Sequence, residues 1–78
     1  MLISLDIENH YRDGGIVPTR VTGAVVSAPS GDLDDWAFAE IYPMTGTGRT
    51  HGDAAYFATI TWCDERPDLI GHEFAWGI

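Results

Sequence analysis

The residues able to do chemistry are few and scattered. Cys63 and His72 stand on either side of the segment 64–71. If the chain before it pairs with the chain after it as a hairpin, thiol and imidazole approach across the mouth, where cross-strand Cβ atoms lie about 5 Å apart. A thiolate activated by imidazole is a nucleophile. Such a pair also needs an oxyanion site and a cleft, and no motif marks either; the plain reading is a buried cysteine beside an ordinary histidine. His10, His51 and His72, with Asp53 and Glu73 near them in sequence, are imidazole and carboxylate ligands of the kinds that hold zinc or similar ions. Their spacings of 41 and 21 residues match no compact metal motif. Only a fold could gather them.

Two loops have the composition of ligand sites and fail in detail. Gly46-Thr47-Gly48-Arg49-Thr50-His51-Gly52 has His51 where a dinucleotide fingerprint needs glycine, and a P-loop needs a lysine that this chain does not contain. Asp32-Leu33-Asp34-Asp35 begins like a calcium loop, but its fifth position is Trp36 and its twelfth is Pro43. Neither cofactor nor metal is expected. Arg49 remains a cationic spot in a negative field and marks the loop 44–53 as a partner-contact candidate.

The acids are the most informative set. Twelve Asp and Glu against four Arg give a net charge of −8 on 78 residues. Each half, 1–39 and 40–78, holds six acids and two arginines, hence −4 apiece. Asp6 and Glu8 lie two apart on one strand face, about 6.6 Å along the chain. Asp32, Asp34 and Asp35 cluster at one turn, and Asp64, Glu65 and Asp68 at another. Rigidly displayed carboxylates offer a basic protein groove a field like that of a nucleic-acid backbone and speed association. They also serve solubility. Direct binding to nucleic acid is not expected, because it draws on Lys and Arg to neutralise phosphates.

The elements that must position these groups read mainly as strands. Residues 2–8 alternate, with Ile3, Leu5 and Ile7 on one side and Ser4, Asp6 and Glu8 on the other. Asn9 to Gly15 is a turn in which Asp13-Gly14-Gly15 tolerates positive φ. Residues 16–28 are largely β-branched, with Pro18 and Gly23 marking an edge or a bulge. Residues 33–42 admit two readings: a helix capped by Asp32 with Asp34 and Asp35 in its first turn, or a strand. The aromatic run from Trp36 to Tyr42 tips the balance to the strand. Residues 44–53 form a loop. Ala54 to Cys63 is a central strand with Tyr56, Ile60 and Trp62 facing away from Phe57, Thr59, Thr61 and Cys63. Residues 72–78 close the sheet, with Phe74, Trp76 and Ile78 sharing a face.

These elements make a mainly β fold, or an α+β fold with one short helix near 33–42. The expected sheet is small and antiparallel, of about five strands, open to curling into a barrel or sandwich. The length fits a single domain over residues 1–78. A chain this small buries only about 60% of its unfolded surface, too little to add a large catalytic cavity. Its nine aromatics, three of them Trp, supply the burial that a disulfide-free core needs. A lone cysteine suits a reducing compartment. No signal-peptide pattern or bilayer-length apolar run is present, so a soluble, cytoplasmic protein is expected, with no membrane partner. The absence of Lys and Gln, with abundant Ala, Gly, Asp and Arg, fits a GC-rich bacterial or phage genome.

In size and charge the chain resembles the small acidic inhibitors that phages turn against host defence, anti-CRISPR proteins among them. That resemblance implies a non-enzymatic inhibitor or modulator that binds a basic, nucleic-acid-handling protein, by nucleic-acid mimicry, through Asp6, Glu8, Asp32, Asp34, Asp35, Asp64, Glu65, Asp68 and Arg49. The alternative is an oligomeric β-barrel that binds a small ligand or metal, or a phage accessory subunit, with homodimers supplying burial that one chain lacks.

Overall fold

The computed structural model describes residues 1–11, 14–45 and 54–77. Among these residues four antiparallel strands form one sheet: β1 (Leu2–Tyr11), β2 (Ile16–Val25), β3 (Ala54–Cys63) and β4 (Glu73–Gly77), in the order β2-β1-β3-β4. One helix, α1 (Leu33–Glu40), packs on one face. The fold is mainly β as the sequence implies. The edge strands β2 and β4 do not pair with each other, so the sheet is open and the barrel expectation is corrected.

β1 is central because its alternation supplies a face that is apolar from Ile3 to Ile7, with the buried Asn9 beyond it. Ile3, Leu5 and Ile7 are almost completely buried, while Asp6 and Glu8, which alternate with them, are exposed. β3 lies beside it and adds Ala58 and Ile60 to the same core; Phe74 of β4 completes the row. Val26, Trp36, Ala37, Ile41 and Leu69 close over it from the other layer.

The fifth expected strand, over 33–42, is α1 instead. Asp32 caps it, its carboxylate accepting the Asp35 amide at 3.0 Å, and Asp34 and Asp35 sit in the first turn, where the helix dipole favours negative charge. The spacing of the buried residues decides the matter. Leu33, Trp36, Ala37 and Ile41 recur at 0, 3, 4 and 8, and all turn to the core, whereas Phe38 is 58% exposed. A strand would have put Trp36 and Phe38 on one face. The aromatics that favour a strand locally are used here as tertiary anchors: Phe38 stacks on Tyr42 at 4.9 Å, Tyr42 meets Trp76 at 5.4 Å edge-on, and Trp36 meets Phe74 at 6.4 Å. The Trp36 indole also donates to the Ser27 carbonyl at 2.6 Å. An eight-residue helix is too short to persist alone, so these contacts hold it. A 3₁₀ turn at Tyr42–Met44, opened by Pro43, ends it.

Two bulges bend the sheet opposite Ser4. On β2 the register slips between Ile3 and Leu5, and Gly23 takes φ +67 there, its amide donating to Ser4 Oγ. On β3 the extra residue is Thr61: Ser4 pairs with Trp62 while Leu5 pairs with Ile60. This slip exchanges faces. Cys63 joins Ile60 in the core and Trp62 turns to the opposite side with Phe57 and Thr59, correcting the alternation read from the sequence.

Pro18 lies on an edge strand, as its position implies. Tyr11 N–H donates to Gly15 O, so that pair is hydrogen-bonded, and alternation along the register makes Glu8 and Pro18 a non-hydrogen-bonded pair. Residue 18 therefore directs its nitrogen outward. Proline deletes a donor that would otherwise invite another strand.

Candidate protein-binding face

Helix α1 covers one face of the sheet and leaves the other open. Residues paired across the strands share a face, so the register reads out the open side: Ile16, Pro18, Arg20 and Val25 from β2; Leu2, Ser4, Asp6, Glu8 and His10 from β1; Ala55, Phe57, Thr59 and Trp62 from β3; Glu73, Ala75 and Gly77 from β4.

One end of this face is acidic. Asp6, Glu8, His10, Phe57, Thr59 and Glu73 line a shallow hollow of about 430 Å³. Glu8 Oε1 lies 2.9 Å from His10 Nε2, and the His10 ring stands edge-on to Phe57 with centroids 4.9 Å apart. Asp6 Oδ1 accepts from Arg20 Nε at 3.1 Å across the β1–β2 pair. Glu73 has no hydrogen bond or ion pair among the described residues. Three carboxylates thus face one guanidinium and one imidazole. The other end is apolar: Leu2, Val25 and Trp62 surround Ser4 and are 38%, 81% and 45% exposed.

The remaining acids named from the sequence lie elsewhere, and Asp32, Asp64, Glu65 and Asp68 make contacts within the fold. Asp32 is the helix cap, with Asp34 and Asp35 beside it. Asp64 Oδ1 accepts the Leu2 amide at 2.9 Å, and the Asp64 amide returns a bond to Leu2 O at 3.1 Å, so the ends of β1 and β3 are clamped reciprocally. Glu65 lies 3.4 Å from the Met1 amino nitrogen. Asp68 accepts two hydrogen bonds from the Arg66 guanidinium, at 3.0 and 2.8 Å, which hold its carboxyl below the ordinary value and raise Arg66 above its own. Asp64 stands level with Leu2, six residues down β1 from Glu8, or about 20 Å. Only Asp6 and Glu8 of the named set share the open face. Arg49, His51, Asp53 and most of the loop 44–53 fall outside the described residues.

Nothing local in the sequence marks Glu73, Phe57 and Trp62 as binding residues. The alternation of Glu73 with Phe74 signals an outward carboxylate, but only the β3–β4 register carries it across to Asp6 and Glu8.

The other chemical candidates separate. The register sets His72 opposite Ile60, with Ile60 N–H donating to His72 O, so Cys63 lies three residues beyond it. Cys63 is 4% exposed, and its sulfur accepts the Arg66 amide, whereas His72 is exposed and stacks on Phe74. The proposed thiol–imidazole pair does not form. No group of three or more His, Cys, Asp or Glu among the described residues is arranged to hold a metal, and no helix among them is long and apolar enough to cross a membrane.

Comparison of the chain with protein-family models, with curated proteins and with solved structures finds no match. The functional reading therefore rests on the geometry of the open face.

Proposed function

We propose that the protein is a non-enzymatic inhibitor or modulator that binds a basic, nucleic-acid-handling protein through the open face of its sheet. The observation that carries this reading is the row Asp6, Glu8 and Glu73. Asp6 and Glu8 stand on β1 and Glu73 on β4, brought to one face by the β3 strand that pairs with both, and no element among the described residues covers them. Charges carried on hydrogen-bonded strands need little backbone ordering on binding, and a negative field raises encounter rates with basic surfaces. The acids at 32–35 and 64–68 add to the long-range field, while Asp32 also caps α1 and Asp64 clamps the ends of β1 and β3. A phage protein directed against a host defence enzyme would use such a surface as a substitute for nucleic acid. The burial of Cys63 away from His72 favours binding over catalysis.

The test is affinity capture from a bacterial host lysate with the wild-type protein as bait, in parallel with the Asp6→Asn/Glu8→Gln/Glu73→Gln protein. The reading expects a basic protein that elutes with rising salt, is displaced by added DNA or RNA, and is missing from the triple-variant capture. Equal capture by both baits, or capture indifferent to salt and nucleic acid, would overturn it.

A further inference from the structure

The open face is divided, and the division restricts what can dock on it. Its acidic hollow is centred on Asp6, Glu8 and Glu73, with Phe57 and Thr59 in its wall. Its apolar end is Leu2, Val25 and Trp62 around Ser4. Strand geometry sets the separation: Trp62 is level with Ser4, and Asp6 and Glu8 follow at about 7 and 13 Å along β1. A large exposed indole beside two aliphatic side chains is the composition of an interface anchor rather than of a solvated surface.

Building on the reading of a basic partner, we infer that this face is a two-part receptor for an extended segment of that partner bearing an apolar side chain and, about 10 Å away, an arginine. The apolar residue packs on Trp62, Leu2 and Val25, and the guanidinium enters the hollow.

Charge complementarity selects this occupant. A second copy would bring the same three carboxylates against themselves. Nucleic acid and anionic membrane surfaces carry the same sign as the hollow. A guanidinium offers five donors in a planar fork suited to carboxylates and stacks on aromatic rings such as Phe57. The protein already shows this chemistry within its own chain, where Arg20 reaches across from β2 to Asp6 on the same face. Glu8 shares its oxygen only with His10, and Glu73 meets no partner among the described residues, so both keep accepting capacity.

The experiment titrates the ¹⁵N-labelled protein with four probes: arginine amide, acetyl-Leu-Arg-amide, acetyl-Leu-Gly-Gly-Arg-amide and the last peptide with citrulline replacing arginine. In the third, leucine and arginine are three residues apart, about 10 Å along the chain, and the two intervening glycines leave the backbone free to turn both side chains to one side. The expected result is joint movement of the Glu8, Thr59 and Glu73 amides and the Trp62 indole N–H. That peptide should bind about tenfold tighter than arginine amide, because it adds one buried aliphatic side chain. Citrulline should abolish the shifts in the hollow. Trp62→Ala, or Val25→Ser should the indole deletion disturb the spectrum, should return the long peptide to the affinity of arginine amide. Glu8→Gln/Glu73→Gln should remove the arginine response while the spectrum elsewhere is kept.

If arginine amide fills the hollow but the leucine adds nothing, the two-part receptor is wrong and the acidic binding face stands. If no cationic probe moves the hollow, both fail. Shifts confined to the β2 edge, or spectra that broaden with protein concentration through the Trp62 face, would overturn the inference in favour of strand addition or of a second copy.

Discussion

Removing the Asp64 carboxylate should weaken the fold while leaving partner binding intact. Asp64 Oδ1 accepts the Leu2 amide at 2.9 Å, and the two residues exchange a second bond through the Asp64 amide. Asp64→Ala deletes the first of these and leaves the second on a frayed strand end. A hydrogen bond to a charged group contributes about 1.5–3 kcal/mol, and the exposure of Asp64 places this one near the lower limit. A domain of 78 residues has about 4–12 kcal/mol of total stability, so the loss is a sizeable fraction. With a urea slope of about 1 kcal/mol/M for a chain this small, the midpoint should fall by about 1.5 M. Asp64→Asn keeps an acceptor and should lose less. The assay is urea unfolding followed by far-UV circular dichroism, with partner binding measured on the folded variants. An unchanged midpoint for Asp64→Ala would refute the clamp, and lost binding by a folded Asp64→Ala protein would refute the division between clamping and displayed acids.

Three further outcomes follow from the same geometry. Asp32→Ala should cost about 1 kcal/mol by unfolding α1 from its cap, read as a lowered urea midpoint, whereas Asp32→Ser should recover most of it. The Arg66–Asp68 pair lowers the folded pKa of Asp68, so its contribution is full above the ordinary carboxyl value of 3.8 and is lost as pH falls through the lowered folded value; acid titration of stability should flatten in that range for Asp68→Asn, and an unchanged profile would count against the pair. Pro18→Val restores an outward amide to β2, and light scattering should then show concentration-dependent association that the wild-type protein lacks; a monodisperse variant would show that proline is not what protects the edge.

The parts of this fold legible in the sequence are those set by local pattern. Ile3, Leu5 and Ile7 announce β1 because a central strand must bury every second residue, and Pro18 and Gly23 mark an edge and a bulge because neither residue serves a regular ladder. Residues 33–42 read towards a strand because the aromatic run carries β propensity, while the helical spacing of Leu33, Trp36, Ala37 and Ile41 yields a short and weakly periodic signal. Their true use depends on Phe74 and Trp76, nearly forty residues away. The bulge at Thr61 is equally hidden. It adds one residue between Ile60 and Trp62, and no side chain there reveals which way the chain slips, yet it moves Trp62 to the open face and Cys63 to the core. For the candidate site, Asp6 and Glu8 are visible as an outward pair, but Glu73 joins them only through pairing at both sides of β3. The acids at 32–35 and 64–68 look alike in composition and differ in what their oxygens accept.

The central claim is that recognition depends on the three carboxylates of the open face. The most direct measurement compares the affinity of the captured basic partner, across a salt series, for the Asp6→Asn/Glu8→Gln/Glu73→Gln protein and for the Asp34→Asn/Asp35→Asn/Glu65→Gln protein, both verified as folded. A loss of at least about a hundredfold and a flattened salt dependence are expected for the first variant, against a change of a few-fold for the second. Equal losses from the two, or a larger loss from the second, would contradict it.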